Sequence, residues 1–194
     1  MRPAWELGIA KGSSVQEEDA GGGGSSPVSD HDTLSGLLSR SGFDKRVRMI
    51  IDGHPNESYL LVYGDIDRFK VYNDLFGAPA GDRLLADIGT MIRDLMPAGA
   101  AAARLRADHF VCCCSRSSFD PDRMLAALDA WFASYREDFT FFVRLGIFPI
   151  DDPSLDVNLM CDRALLALRS AKSGYVGSKY VFYDEKLRSS VLKE

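Results

Sequence analysis

The chain has 194 residues, of which 46% are hydrophobic, 26% charged and 10% aromatic, the composition of a soluble globular protein with one good core, so collagen-like, mucin-like and wholly disordered chains are excluded. The formal net charge of −5 is unevenly spread: residues 1–32 hold two basic and six acidic side chains, whereas residues 33–194 hold 21 basic and 22 acidic ones. There is no basic footprint of the kind that binds nucleic acid, and no nucleic-acid partner is expected.

No run approaches the roughly 18 apolar residues of a spanning helix, so direct membrane insertion is not expected. Near the N-terminus Trp5, Leu7 and Ile9 are interrupted by Glu6 and Gly8, which is not the apolar core of a secretion signal, and a cytoplasmic location is expected. Residues 1–29 combine Gly12-Ser13-Ser14, the acidic Glu17-Glu18-Asp19 and the run Gly21 to Gly24, and read as a disordered tail or linker. The glycine-serine run is a native linker or an artefact of cloning, and Trp5 with its apolar neighbours is either a docking peptide or the ordinary scatter of a polar tail.

Periodicity begins at Asp32. Phe43, Val47, Ile50 and Ile51 predict a helix that Gly53, Pro55 and Asn56 stop. Tyr59 to Tyr63 predicts a buried strand ending at Gly64-Asp65. Phe69, Tyr72 and Phe76 form a short helix ended by Gly77, and Leu84, Leu85, Ile88, Ile92 and Leu95 carry a second helix up to Pro97. Ala101 to Leu105 and Phe110 to Cys114 predict two strands joined by a tight turn at Arg106 to His109. Asp120 before Pro121 opens a helix with the stripe Met124, Leu125, Leu128, Trp131 and Phe132. A strand over Phe141 to Phe148, a helix through Leu159, Ala164, Leu165 and Leu168 to about Gly174, and a strand at Tyr180 to Tyr183 complete the pattern. These elements predict an α/β (α+β) sandwich, a mostly antiparallel sheet of about five strands flanked by helices. Cys112, Cys113 and Cys114 point alternately to opposite faces, which suits small reduced core residues better than a zinc site or disulfides.

The chemical candidates are carboxylates at strand ends. Asp65 and Asp67 follow a buried strand, and Asp108 sits in the hairpin turn. If those strands are neighbours, Asp65 and Asp108 could converge on a hard cation such as Mg²⁺; equally, acids at such places cap helices and hold turns. Lys70 is either a phosphate contact or a solvated helix lysine.

Two blocks carry a family resemblance. Asp32-Thr-Leu-Ser-Gly-Leu-Leu-Ser-Arg40 resembles D-x-L-T-G-L-x-N-R, and Asp65-Ile-Asp-Arg-Phe-Lys-Val-Tyr-Asn-Asp74 with Gly77 and Gly81-Asp82 resembles D-[LI]-D-x-F-K-x-[IY]-N-D-x-x-G-x-x-x-G-D. Both are similar to blocks of the GGDEF domain of diguanylate cyclases. Arg144-Leu-Gly146-Ile147 resembles the family's S-x-G-[VI] strand with Arg for Ser, and Cys161 to Leu165 resembles the start of its A-D-x-A-L-Y-x-A-K helix. The resemblance covers about residues 30–185 as one nucleotide-cyclase, palm-like domain, with 186–194 as the start of a connecting helix of the kind that precedes an EAL phosphodiesterase domain.

The resemblance implies that Asp65, the carbonyl of Ile66 and Asp108 bind Mg²⁺ or Mn²⁺. It further implies that Asn73 and Asp82 read the guanine edge of GTP, that Phe69 walls the pocket, and that Lys70 meets phosphates. An amide and a carboxylate suit guanine, whose N1–H and N2–H₂ want acceptors and whose O6 wants a donor. In active members two such domains face each other with one GTP each and produce cyclic di-GMP, so the implied partners are GTP and a homodimer mate or neighbouring EAL-type domain.

The signature loop departs from the family. G-G-D-E-F becomes Arg106-Ala107-Asp108-His109-Phe110, which restores side chains where glycines let the backbone approach phosphates and replaces a carboxylate by His109. Losing a general base alone costs about 10²–10⁴ in rate. The family's phosphate-binding lysine becomes Arg169, with Lys172 as the alternative if the helix register shifts by about one turn. The product-inhibition motif R-x-x-D would fall on Pro97 and Ala100, which carry no charge. The expectation is a catalytically impaired domain that binds GTP and regulates a neighbour; the alternatives are a working cyclase and an interaction module without nucleotide.

Overall fold

The residues from Tyr59 to Asp67 (β1) are apolar on both alternating faces as far as Tyr63, and such a strand has to be covered on two sides. The computed structural model, which describes residues 29–171 and 177–187, makes β1 the centre of a five-stranded sheet. The other strands are β2 (Ala101–Arg106), β3 (His109–Ser115), β4 (Phe142–Ile150) and β5 (Lys179–Phe182), in the order β2-β3-β1-β4-β5. Every pairing is antiparallel except that of β4 with β5. The expected mostly antiparallel sheet flanked by helices is the fold observed.

Leu60, Val62 and Ile66 of β1 face a core shared with α2 (Phe69–Phe76), α3 (Ala78–Leu95) and α4 (Pro121–Tyr135). Tyr59, Leu61 and Tyr63 face the other core, shared with α1 (Arg40–Gly53) and α5 (Val157–Ser170). The cysteine run divides in the same way, Cys112 into the first core and Cys113 into the second. Cys112, Cys113, Cys114 and Cys161 are buried free thiols, and burial pushes Cys113 up to about 12 and Cys114 up to about 11.

Local chemistry places the helix ends. Ser39 caps α1 by accepting from the Gly42 N–H at 3.3 Å, and Asp120 caps α4 by accepting from Asp122 and Arg123 N–H at 3.0 and 3.1 Å. Gly77, at φ +84°, ends α2 and starts α3, a left-handed joint that the absence of a Cβ makes cheap. Gly146 allows α5 to lie directly on β4: a Cβ there would fall 2.0 Å from the Ala164 carbonyl oxygen. At the outer edge of β2, the segment from Asp32 to Leu38 folds back so that Leu38 bridges Ala103, its N–H donating to the Ala102 carbonyl at 3.1 Å. This covers an otherwise open strand edge.

One boundary differs from the expectation in a way that matters. β1 does not stop at Gly64-Asp65; its ladders continue through Asp65 opposite His109 on β3 and through Asp67 opposite Phe142 on β4. Asp65 and Asp67 therefore belong to the central strand rather than following it, because β3 and β4 both pair with it as far as Asp65 and β4 pairs with it to Asp67. Most of the tail at 1–29, Lys172, and nearly all of the connecting helix at 186–194 lie outside the described residues. No described helix is long and apolar enough to cross a membrane.

Candidate functional site

The end of β1 passes into α2 through a single left-handed residue. Arg68 sits at φ +69°, and its N–H donates to Asp67 Oδ1 at 3.1 Å, so Asp65, Ile66 and Asp67 close the strand just before Phe69 and Lys70 open the helix. Lys70 is exposed on the first turn of α2. Phe69 is 8% exposed and packs into the first core, as does the side chain of Ile66. Ile66 can thus offer a ligand only its carbonyl, and Phe69 supports the site from beneath.

Asn73 lies in the angle between α2 and α3. Its Oδ1 is buried without a hydrogen-bond partner, and a Cβ on Gly81 would stand 1.8 Å from that atom. Gly81 thus makes the room that Asn73 occupies, and the next residue, Asp82, is exposed. The fold brings Asn73 and Asp82 to the same junction, as the motif spacing implies. An amide and a carboxylate at one edge can read a planar heterocycle carrying both donors and acceptors.

The hairpin between β2 and β3 turns through Ala107 at φ +42°, a left-handed conformation in a residue with a Cβ, and the β2–β3 register shifts between Arg104 and Arg106. Arg104 braces this turn. Its Nε donates to the Ala107 carbonyl at 2.7 Å, and its Nη1 donates to both carboxylate oxygens of Asp32 at 3.2 Å. Asp32 also accepts from the N–H and hydroxyl of Ser35 at 2.8 and 2.7 Å. Burial pushes the Asp32 carboxyl up, but the Ser35 and Arg104 hydrogen bonds outweigh it and leave the group below its ordinary value. Asp32 and Arg104 together tie the first sequence block to the hairpin. Sequence reasoning missed Arg104, because an arginine in an alternating edge strand reads as a solvated side chain.

Register aligns one charged row across all five strands. Arg106 opposes His109, His109 opposes Asp65, Asp65 opposes Arg144, and Arg144 opposes Lys179. Residues directly opposite share a face, so these five side chains emerge on one side of one end of the sheet. Asp65 is 5% exposed. The His109 ring packs edge-on to Tyr63 with centroids 5.5 Å apart. Burial raises the Tyr63 hydroxyl above its ordinary value, partly offset by the nearby positive charge of Arg106. Arg144, with its side chain 11% exposed, forms an ion pair with Asp67 through Nη2, while its Nε is buried without a partner. Elsewhere, Arg169 is exposed on the last turn of α5.

The sequence profile described as "Diguanylate cyclase, GGDEF domain" matches residues 29–175. The chain belongs to the GGDEF domain family. This GGDEF domain is 28% identical over 160 residues to the "Probable diguanylate cyclase DgcE" of Escherichia coli K12, covering 78% of this chain and 14% of DgcE. It is 26% identical over 182 residues to the "Cyclic di-GMP phosphodiesterase PdeR" of the same organism, covering 91% of this chain and 28% of PdeR. The chain thus spans well under a third of either relative. In three dimensions it superposes on the GGDEF domain of PA1120 (TpbB or YfiN) from Pseudomonas aeruginosa with a TM-score of 0.69 at 24% identity. That comparison covers 84% of this chain and 99% of the other, and it shows the fold.

Family membership implies a divalent cation, Mg²⁺ or Mn²⁺, beside Asp65. A hard cation needs several oxygen donors. Here Asp65 has an imidazole and a guanidinium as its two register partners, and Asp67 is committed to Arg144. Beside Asp65 the cross-strand neighbours thus bring an imidazole and a positive charge, where a hard cation prefers oxygen donors.

Proposed function

We propose that this GGDEF domain is a GTP-binding regulatory module of cyclic di-GMP signalling that does not itself make cyclic di-GMP. The observation that carries the reading is His109, which stands in register with Asp65 and packs on Tyr63 where the family motif has a carboxylate. An imidazole lacks the negative charge of a carboxylate and is a poor ligand for a hard cation, so the metal-assisted step that the family motif serves is impaired here. The recognition end of the site keeps its chemistry: Asn73 with its buried, unpartnered Oδ1, exposed Asp82, and Lys70 on the adjoining helix. GTP is bound by its base at Asn73 and Asp82 and by its phosphates toward Lys70 and the hairpin.

The similarity to PdeR, named as a phosphodiesterase, over 91% of this chain supports placing the domain, residues 30–185, next to an EAL-type phosphodiesterase partner whose activity it sets. Calorimetry with GTP tests the binding, and chromatography after incubation with GTP and Mg²⁺ or Mn²⁺ tests the chemistry. Saturable binding that Asn73→Ala and Asp82→Ala abolish, with no cyclic di-GMP above a blank, is the expected result. Cyclic di-GMP production would make the domain a working cyclase, and no GTP binding under any condition would make it an interaction module.

A further inference from the structure

We propose that the phosphate end of this site is neutralised by the protein's own arginines, so that GTP binds without a divalent cation. This rests on the GTP-binding reading above and concerns how the same site takes its anion. The row Arg106, His109, Asp65, Arg144, Lys179 places three permanent cations and one imidazole on the face that carries Asp65. Asp65 in the row and Asp67 beside it are the facing acids, so three cations stand against two carboxylates. Relative to the motif residues Gly, Glu and Ser, the replacements Arg106, His109 and Arg144 shift the local charge by +1 each, more than the two charges of a divalent ion. One change removes a ligand of the ion and the other two supply the charge the ion would bring.

The geometry singles out Arg144. Its Nη2 end is anchored by Asp67, which fixes the planar fork, while its Nε is a buried donor with no acceptor among the described residues. A buried N–H of this kind is stabilised by any oxygen that reaches it, and a guanidinium fork matches two phosphate oxygens at once. Arg106 extends the same charge along the face: it is exposed at the hairpin and stands opposite His109 in the β2–β3 ladder. A phosphate group at the end of β1 would meet Arg144 from the sheet, Arg106 from the hairpin and Lys70 from α2.

The test is calorimetric titration of GTP into the intact chain, in excess EDTA and in excess Mg²⁺. Affinities equal within about threefold in the two conditions are expected, because the protein's charge–phosphate hydrogen bonds replace the ion. Arg144→Ser should weaken binding in EDTA by about tenfold or more, the loss of one charge-assisted pair. Since that variant leaves Asp67 without its partner, the exposed Arg106→Gly provides a second reading and should weaken binding in EDTA in the same direction. Binding of wild type in Mg²⁺ but not in EDTA would overturn this inference and leave the GTP reading standing. Absence of binding in both conditions would overturn the GTP reading itself. Unchanged metal-free affinity in both variants would overturn the assignment of the charge to these arginines. Mn²⁺ alone, followed by water-proton relaxation, should show no saturable site; a saturable site removed by Asp65→Asn would refute the proposal.

Discussion

Gly146 on β4 is the point at which α5 and the sheet approach most closely, and Gly146→Ala measures how much the fold depends on that approach. The added Cβ would lie 2.0 Å from the Ala164 carbonyl oxygen, 2.4 Å from the Leu168 N and 2.8 Å from the Leu168 Cβ. The two nearest are backbone atoms of α5, so no side-chain rotation relieves the overlap, and the helix must retreat by about 1 Å to reach an ordinary contact. A radial gap of ~0.5–1 Å forfeits a quarter to a half of each dispersion contact it opens. The residues affected include Met160, Ala164, Ala167 and Leu168, all fully buried. Overpacking of a core typically costs ~1–3 kcal/mol, and an obstruction made of backbone belongs at or above the top of that range, about 3 kcal/mol. For a chain of this size that lowers the melting temperature by about 6–12 °C. The control is Gly53→Ala at the end of α1, where nothing lies within 4 Å of the added Cβ, and which should be neutral or stabilising by up to about 1 kcal/mol. Urea unfolding of both variants, with m-values to confirm an unchanged transition, supplies the comparison. A Gly146→Ala protein within about 1 kcal/mol of wild type would refute the claim that this contact is rigid.

Two further outcomes follow from the same coordinates. Ala107→Gly should stabilise the domain by a few tenths to about 1 kcal/mol, because relieving a left-handed alanine returns ~1–2 kcal/mol while the freer unfolded chain takes back ~0.4–1; a loss of stability in urea melts would contradict the strain. Asp32, held below its ordinary value by Ser35 and Arg104, contributes stability above the unfolded carboxylate pKa of about 3.9 that disappears as pH falls through the lower folded value. Asp32→Asn should therefore be less stable than wild type at pH 6 and converge with it near pH 2, and parallel stability profiles across that range would show that the carboxylate is not coupled to folding.

Most of the fold was legible because its signals are local. The stripe Phe43, Val47 and Ile51 and the cap at Asp120 act within a few residues, and α1 and α4 form where those signals place them. The end of β1 was not legible. Gly64 and Asp65 are breakers by propensity, yet pairing on both flanks carries the strand through Asp65, and the β4 ladder alone extends it to Asp67, since a central strand is held by its neighbours' backbones rather than by its own side chains. That two-residue difference decides the site, because it turns Asp65 from a strand-end acid into the middle member of a cross-strand row.

The site itself was legible in proportion to how local its parts are. Asn73, Gly77, Gly81 and Asp82 occupy one helix–turn–helix stretch, so their spacing already places the amide beside the acid, and the 1.8 Å clearance shows why Gly81 has no side chain. The partners of Asp65 lie 44 and 79 residues further along the chain, at His109 and Arg144, and no periodicity relates them. Read singly, Arg144 is one replacement of a serine and His109 one replacement of a glutamate. Read in register, the two flank the same carboxylate, and Arg106 stands one strand further out on the same face. Three separate departures thus become one consistent change in local charge, each adding +1 to the same face. On the proposed reading, the same replacements that impair the metal-assisted step add positive charge for an anion, so loss of turnover and retention of nucleotide are expected together.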